Sequence, residues 1–321
     1  MMRAPCAALR NQKGIALIIV LWITTLLMLI ASSFIYAMRT EVNIVANSLA
    51  RARLEAAADA AVQRSVFEMS KPQQLSGRWT TDGVVQSWSY QGVAVEVGMT
   101  DESGKIDINT ASDALLRGLF LAQGMKEEEA ATVTDAILDW RDPDLLKRLR
   151  GAEEADYLAA GYSYKPANAA FQSTEELRLV MGMTPELFDK VAPLITIYSR
   201  QPGINAGIAS RGVLRALPGA TDVLVDQYIA QREQARAAKI PVPQFAAAAP
   251  YSSFANGIVI VRAVASGGEG NAESSFVREA VVMRLPTPKR PYTFLRWKEG
   301  TAASAVNNPA AAVAPATAPP Q

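Results

Sequence analysis

The sequence predicts an α+β protein: one long N-terminal helix packed on an antiparallel sheet, with an all-α domain inserted into the sheet domain. Three observations carry this. Residues 15–70 contain neither Gly nor Pro and pass from a purely apolar run into an Ala-rich one. Two pairs of strand-like runs lie far apart, at 84–99 and at 257–285. Between them, from about Thr110 to Lys239, the periodicity is helical.

The N-terminal element comes first. No charge lies between Lys13 and Arg39, and the stretch Gly14–Met38 is 25 residues long. At about 1.5 Å per residue such a helix crosses a hydrocarbon core of roughly 30 Å. It exceeds the apolar core of a cleavable secretory signal, about 7–15 residues. Arg3, Arg10 and Lys13 precede it, and no acid occurs before Glu41. Positive flanks stay on the cytoplasmic side, so the expectation is a single-pass inner-membrane protein with its N-terminus inside and its bulk in the periplasm.

Past Met38 the chain stays helical to about Ser70, where Lys71-Pro72 stops it. Val42, Val45, Leu49, Ala52, Ala56, Asp59, Val62, Val66 and Met69 recur every three or four residues and predict the face that meets a globular head. A coiled-coil dimer is the other use of such a stripe. One helix over 15–70 would be about 84 Å long. Val84–Tyr90 and Val93–Met99 follow as strands joined at Gln91-Gly92, and Gly257–Ala265 and Ser275–Leu285 as a second pair. The block between holds predicted helices at Ser112–Leu121, Lys126–Trp140, Thr174–Val180, Pro185–Val191, Arg211–Leu217 and Thr221–Ala238, with Ala246–Ala249 a linker or short helix. Within it Ile106-Asp-Ile-Asn-Thr-Ala-Ser and Gly203-Ile-Asn-Ala-Gly-Ile-Ala-Ser form a faint repeat, each with a Ser placed to cap the next helix. The organisation is therefore a leader at 1–14, a helix at 15–70 with its span at 15–38, a sheet domain from 71–109 and 241–298, a helical domain at 110–240, and a disordered Ala/Pro tail at 299–321.

Composition excludes much chemistry. There is no histidine, and the one cysteine, Cys6, lies in the leader. Ser/His and Cys/His catalysis are therefore absent, as is the usual zinc ligand, and the chain is expected not to be an enzyme. The net charge of +1 hides an asymmetry: residues 101–200 carry 18 acids against 11 bases, and residues 201–321 carry 7 against 12. Six carboxylates, Asp139, Asp142, Asp144, Glu153, Glu154 and Asp156, leave a helix end and enter a Pro/Gly-containing loop. Hard cations such as Ca²⁺ take six to eight oxygens, mostly from such loops. A solvated acidic loop, partly neutralised by Lys147, Arg148 and Arg150, is the competing reading.

Two resemblances sharpen these expectations. The junction Gln12-Lys13-Gly14 before Ile15 resembles the leader of type IV pilin-like proteins. That resemblance implies cleavage by a prepilin peptidase between Gly14 and Ile15, with methylation of Ile15. Pilin-like chains mostly carry a glutamate at the fifth mature position, thought to meet the N-terminal amine of the subunit above; here that position is Ile19. Further along, 101–109, 138–144, 151–154, 171–177, 203–205 and 213–219 resemble, in order, the blocks of the K-type minor pseudopilins of type II secretion. That family implies a pilin-like head carrying an inserted helical domain, with calcium held by acidic loops, here from among the six carboxylates above. It also implies a place at the pseudopilus tip and assembly with I- and J-type minor pseudopilins. The major pseudopilin, the prepilin peptidase and the inner-membrane secretion platform are further expected partners. A minor pilin of a related type IV filament is the alternative. The repeat also resembles helix-hairpin-helix units of nucleic-acid binders; Pro218-Gly219-Ala220 lacks a second glycine and the first unit is acidic, so no nucleic acid is expected, although the second unit sits in basic sequence and leaves a membrane-tethered DNA receptor as a further, less favoured alternative.

Overall fold

The computed structural model describes residues 13–72, 77–267, 274–287 and 289–300. The expected leader up to Asn11-Gln12, the loop 268–273 and the Ala/Pro tail from Thr301 lie outside the described residues. The chain divides into two units, Met1–Arg53 and Leu54–Gln321. The first helix, α1 (Lys13–Ser70), supplies the described part of the first unit and enters the second.

In the first unit α1 is the apolar run itself. Large apolar side chains from Leu17 to Leu49 are 49–78% exposed, and the helix is long and apolar enough to cross a membrane. Its internal hydroxyls return to the backbone. Thr24 donates to the Leu21 carbonyl at 2.9 Å and Thr25 to that of Trp22 at 2.9 Å, so these two hydroxyls are satisfied in a solvent that cannot hydrogen-bond.

In the second unit the remainder of α1 packs on a five-stranded antiparallel sheet. The strands are β1 (Asp82–Tyr90), β2 (Val93–Asp101), β5 (Ile258–Gly267), β6 (Ser274–Thr287) and β7 (Arg290–Glu299), in the spatial order β1-β2-β5-β6-β7. The buried face of α1 is Leu54, Ala57, Ala58, Ala61, Val62, Val66 and Met69. It shares one apolar cluster with Val95, Val97 and Met99 of β2 and with Val259, Val261, Ala263 and Ala265 of β5. This shifts the expected stripe: Ala56 is exposed and Asp59 half-buried. Val62, Val66 and Met69 of the expected stripe are buried as read, while Ala57, Ala58 and Ala61 take the place of Ala52 and Ala56 on the packed face. Arg278 on β6 fixes the rotation, with its Nε 2.5 Å from Asp59 Oδ1 and a terminal nitrogen 2.6 Å from Glu55 Oε1. Glu68 is buried too. Burial pushes its carboxyl up, but Lys71 (2.7 Å), the Trp79 N–H and Arg64 (2.6 Å) outweigh this and hold it below the usual carboxylate range.

Between β2 and β5 the chain builds a mainly helical block: α2 (Asp113–Ala122), α3 (Glu127–Arg141), α4 (Glu154–Ala159), α5 (Pro185–Val191), α6 (Arg211–Arg215) and α7 (Asp222–Ala237). It has its own core, from Ile106 through Leu115, Phe120, Ile137 and Trp140 to Tyr228. The block is not purely α. The two-residue strands β3 (Ile106–Asp107) and β4 (Ile195–Thr196) pair in parallel inside it. The segment expected as a helix at 174–180 is a 3₁₀ turn over Thr174–Leu179, and α4 and β7 were not expected. β7 reads as charged and contains Pro291, yet Tyr292 and Phe294 pack against the sheet core; it also takes Glu299, assigned by sequence to the tail.

Gly118 of α2 lies against the end of α6. A Cβ there would sit 2.0 Å from the Ala216 carbonyl oxygen. Gly118→Ala, which in a free helix stabilises by about 1 kcal/mol, is therefore expected to destabilise by about 1–3 kcal/mol through forced separation of α2 and α6. The urea midpoint of the purified chain reads the sign; an unchanged or higher midpoint would contradict this contact.

Candidate functional site

The repeat in the sequence is realised as two helix hairpins. Ser112 caps α2, accepting the Leu115 N–H at 3.4 Å, and Ser210 caps α6, accepting the Val213 N–H at 3.4 Å. Each hairpin turns at a glycine in the left-handed region, Gly124 (φ +89°) and Gly219 (φ +80°), where a side chain would be strained. The charges of both hairpins are mixed. The first opens α3 with Glu127, Glu128 and Glu129. In the second, Arg211 pairs with Asp222 and Asp226, both at 2.7 Å, and Arg215 with Asp222 at 2.9 Å.

Residues from three of the resembling stretches, 101–109, 171–177 and 203–205, meet where the helical block leaves the sheet. Asp101 at the end of β2 accepts the Ser103 N–H at 2.9 Å, and burial pushes its carboxyl up. Asp107, buried, accepts the N–H groups of Asn109 (2.9 Å) and Arg200 (2.7 Å) and the Ser199 hydroxyl (3.2 Å). Asn109 exchanges two hydrogen bonds with the Phe171 backbone, at 3.0 and 2.8 Å. The Asn205 N–H donates to the Ser103 carbonyl at 2.7 Å. At Gly203 a Cβ would lie 2.1 Å from the Tyr251 carbonyl oxygen. Motifs a hundred residues apart in sequence thus act as one polar joint.

The acidic loop begins at the last turn of α3. Asp139 is fully buried and accepts the Arg148 N–H at 3.2 Å and the Ala152 N–H, with Arg148 Nε 3.5 Å away. Burial and the neighbouring Asp142 raise its pKa to about 6 against the pull of the Arg148 and Ala152 N–H groups. Asp142 caps the end of α3, its Oδ1 buried without a hydrogen-bond partner. Asp144 accepts the Leu146 N–H at 2.8 Å. Glu153, 8% exposed, holds both carboxylate oxygens buried without a partner. Burial pushes it up, followed by the charges of Asp139, Asp142, Asp144 and Asp156. Asp156 is held down chiefly by its hydrogen bond from Lys147.

Five of the six expected carboxylates therefore share one neighbourhood. Glu154 does not: it is exposed and pairs with Lys165 at 3.0 Å. Arg141 does not neutralise the cluster either, because its guanidinium is committed to the Ile108 and Ala111 carbonyls. Sequence reasoning passed over Gly151, where a Cβ would lie 1.9 Å from Asp139 Oδ2. Its one visible signal was a glycine directly before Ala-Glu-Glu. Among the described residues no three such side chains converge into a ready-made metal cage. Unpartnered, buried carboxylate oxygens on Asp142 and Glu153 are nevertheless the donor type a hard cation takes.

Comparison with known proteins places these features. A family model described as type II secretion system (T2SS), protein K, matches residues 96–200, from β2 through the polar joint and the acidic loop. The type II secretion system protein K of Pseudomonas aeruginosa is 25% identical over 246 residues, covering 68% of this chain and 72% of that protein. Its namesake from Klebsiella pneumoniae is 26% identical over 205 residues, covering 58% and 62%. A chain of the GspK-GspI-GspJ complex from the enterotoxigenic Escherichia coli type 2 secretion system shares the fold at a TM-score of 0.57 and 17% identity, over 83% of this chain and 99% of that one. With its long apolar helix, antiparallel sheet and interposed helical block, this chain is similar in sequence to the type II secretion system protein K family and shares the fold of a solved chain of the GspK-GspI-GspJ complex.

Proposed function

We propose that this minor pseudopilin of type II secretion sits at the tip of the pseudopilus and starts its assembly with I- and J-type minor pseudopilins, serving export of folded proteins across the outer membrane. The observation that carries the reading is Ile19. A carboxylate in lipid is costly unless paired, and a subunit with no neighbour above it needs none. The helical block between β2 and β5 adds bulk that would hinder a further subunit. The solved relative is named for a complex with GspI and GspJ, which supports the choice of partners. The work is packing, with no substrate turned over.

The family and the apolar helix fit a protein anchored in the inner membrane. Within that, Arg3, Arg10 and Lys13 favour a cytoplasmic N-terminus and a periplasmic head. A prepilin peptidase cuts after Gly14, and Ile15 is methylated before the chain joins the major pseudopilin and the secretion platform. Mass spectrometry of the membrane-derived chain should find N-methyl-Ile15, and pull-down should recover both minor pseudopilins. An intact Met1 refutes the processing, and recovery of neither partner refutes the tip assignment.

A calcium ion belongs to the same proposal. Asp139, Asp142 and Glu153, with Asp144 and Asp156 beside them, would hold it, and Glu154 would not. It would supply positive charge to the Asp142 and Glu153 oxygens that lie buried without a hydrogen-bond partner, tying the end of α3 to the start of α4. At 100-fold excess over its dissociation constant such an ion adds about 2.7 kcal/mol, a rise in Tm of about 5–10 °C. In Glu153→Gln that rise should vanish, while the Tm in chelator stays level or increases because an unpaired buried charge has gone. Equal losses in chelator and in calcium would mean a plain acidic loop.

The pH dependence has a definite sign. Asp139 is raised from its ordinary value near 3.8 to about 6, so between these limits the folded chain holds more protons than the unfolded one. Metal-free stability should therefore fall as pH rises from about 4 through 6. Calcium, which needs the carboxylate ionised, should stabilise more at pH 7 than at pH 5. A calcium-induced Tm shift that is the same at both pH values would contradict Asp139 as a ligand.

A further inference from the structure

The two edges of the sheet are built differently. β7 carries Pro291, which has no N–H to donate, and its register against β6 breaks twice, at Val281/Val282 and at Arg284/Thr287. Its charged side chains are engaged, Arg296 with Glu175 at 3.1 Å and Lys298 with Glu279 at 3.2 Å. Prolines, bulges and charge are the devices by which proteins keep an edge from pairing with another chain.

β1 has none of these beyond its first residues. From Gly83 to Tyr90 it contains no charge and no proline, and from Val85 to Tyr90 its register with β2 is unbroken. Among the described residues, β2 is the only strand paired with it. Val84, Val85 and Tyr90 are 36–47% exposed, and Trp88 and Tyr90 stand together on one face at 5.8 Å between rings. Such a row of free N–H and C=O groups fits one kind of occupant, an extended backbone. Val and aromatic residues beside it favour a β-branched or aromatic strand opposite, and the lack of charge favours an uncharged one.

We propose that β1 is an assembly edge, extended by a strand from the head of another minor pseudopilin so that the sheet continues across the subunit boundary. This rests on the reading that the chain assembles with other minor pseudopilins. Main-chain hydrogen bonds then give affinity, and the Val84–Tyr90 side chains set the register.

The test uses the full-length chain co-expressed with the I- and J-type minor pseudopilins and purified from detergent-solubilised membranes. Hydrogen–deuterium exchange should show the fast-exchanging half of the 84–90 amides slowing at least tenfold in the complex, with the β7 amides unchanged. Val85→Lys with Ser87→Lys, two cations on the exposed edge, should cut co-purification at least tenfold at unchanged Tm. A stable complex whose β1 amides exchange as fast as in the free chain overturns the edge while leaving the partner reading intact. Failure of the wild-type chain to bind either subunit overturns both.

Discussion

The structure depends on the apolar seam between α1 and the sheet. Ala57, Ala58 and Ala61 are fully buried, and so are Ala263 and Ala265 of β5 in the same cluster. A larger side chain at these positions would have to displace neighbours in a close-packed core. Leu54, Val62, Val66 and Met69 supply the apolar bulk around this seam, and Arg278 with Glu55 and Asp59 supplies a directional lock. For a subunit whose anchor and head share one helix, this seam is what fastens the head.

The helical block is attached by a different kind of force. Apolar packing makes its interior, but the segment by which it leaves β2 is braced by polar groups: Asp101, Asp107, Asn109 and the backbone of Phe171, Asn205 and Tyr251. A buried carboxylate is tolerated only when donors surround it, and Asp107 has three. Such a joint is specific in geometry. The acidic loop follows the opposite rule. Glu153 and Asp142 keep buried oxygens without donors, which a protein does at a cost unless something else supplies positive charge.

Local signals were enough for the helices with polar caps. Ser112, Thr184, Ser210 and Thr221 each accept an N–H from the first turn of their helices, and each stood visibly before an apolar period. β2 and β5 were legible for a similar reason: Val95, Val97 and Met99 alternate with more exposed neighbours. β7 was not legible, because an edge strand is allowed the proline and charges that argue against a strand elsewhere. The pairs β3–β4 and the 3₁₀ turn at Thr174–Leu179 are too short to carry a period of their own.

What the sequence by itself determined is the apolar helix, the α+β class, the strands β1, β2, β5 and β6 with the longer helices between them, and the identity of the acidic loop, because each is written in local composition and spacing. What the tertiary structure decided is the face that α1 presents, the joint made by Asp107 and Asn109, and the exclusion of Glu154 and Arg141 from the carboxylate cluster. Several alanines of α1 could serve on the packed face, and contact with the sheet selects Ala57, Ala58 and Ala61 among them. A carboxylate has no preferred neighbour until folding brings donors, or fails to bring them, within hydrogen-bond reach.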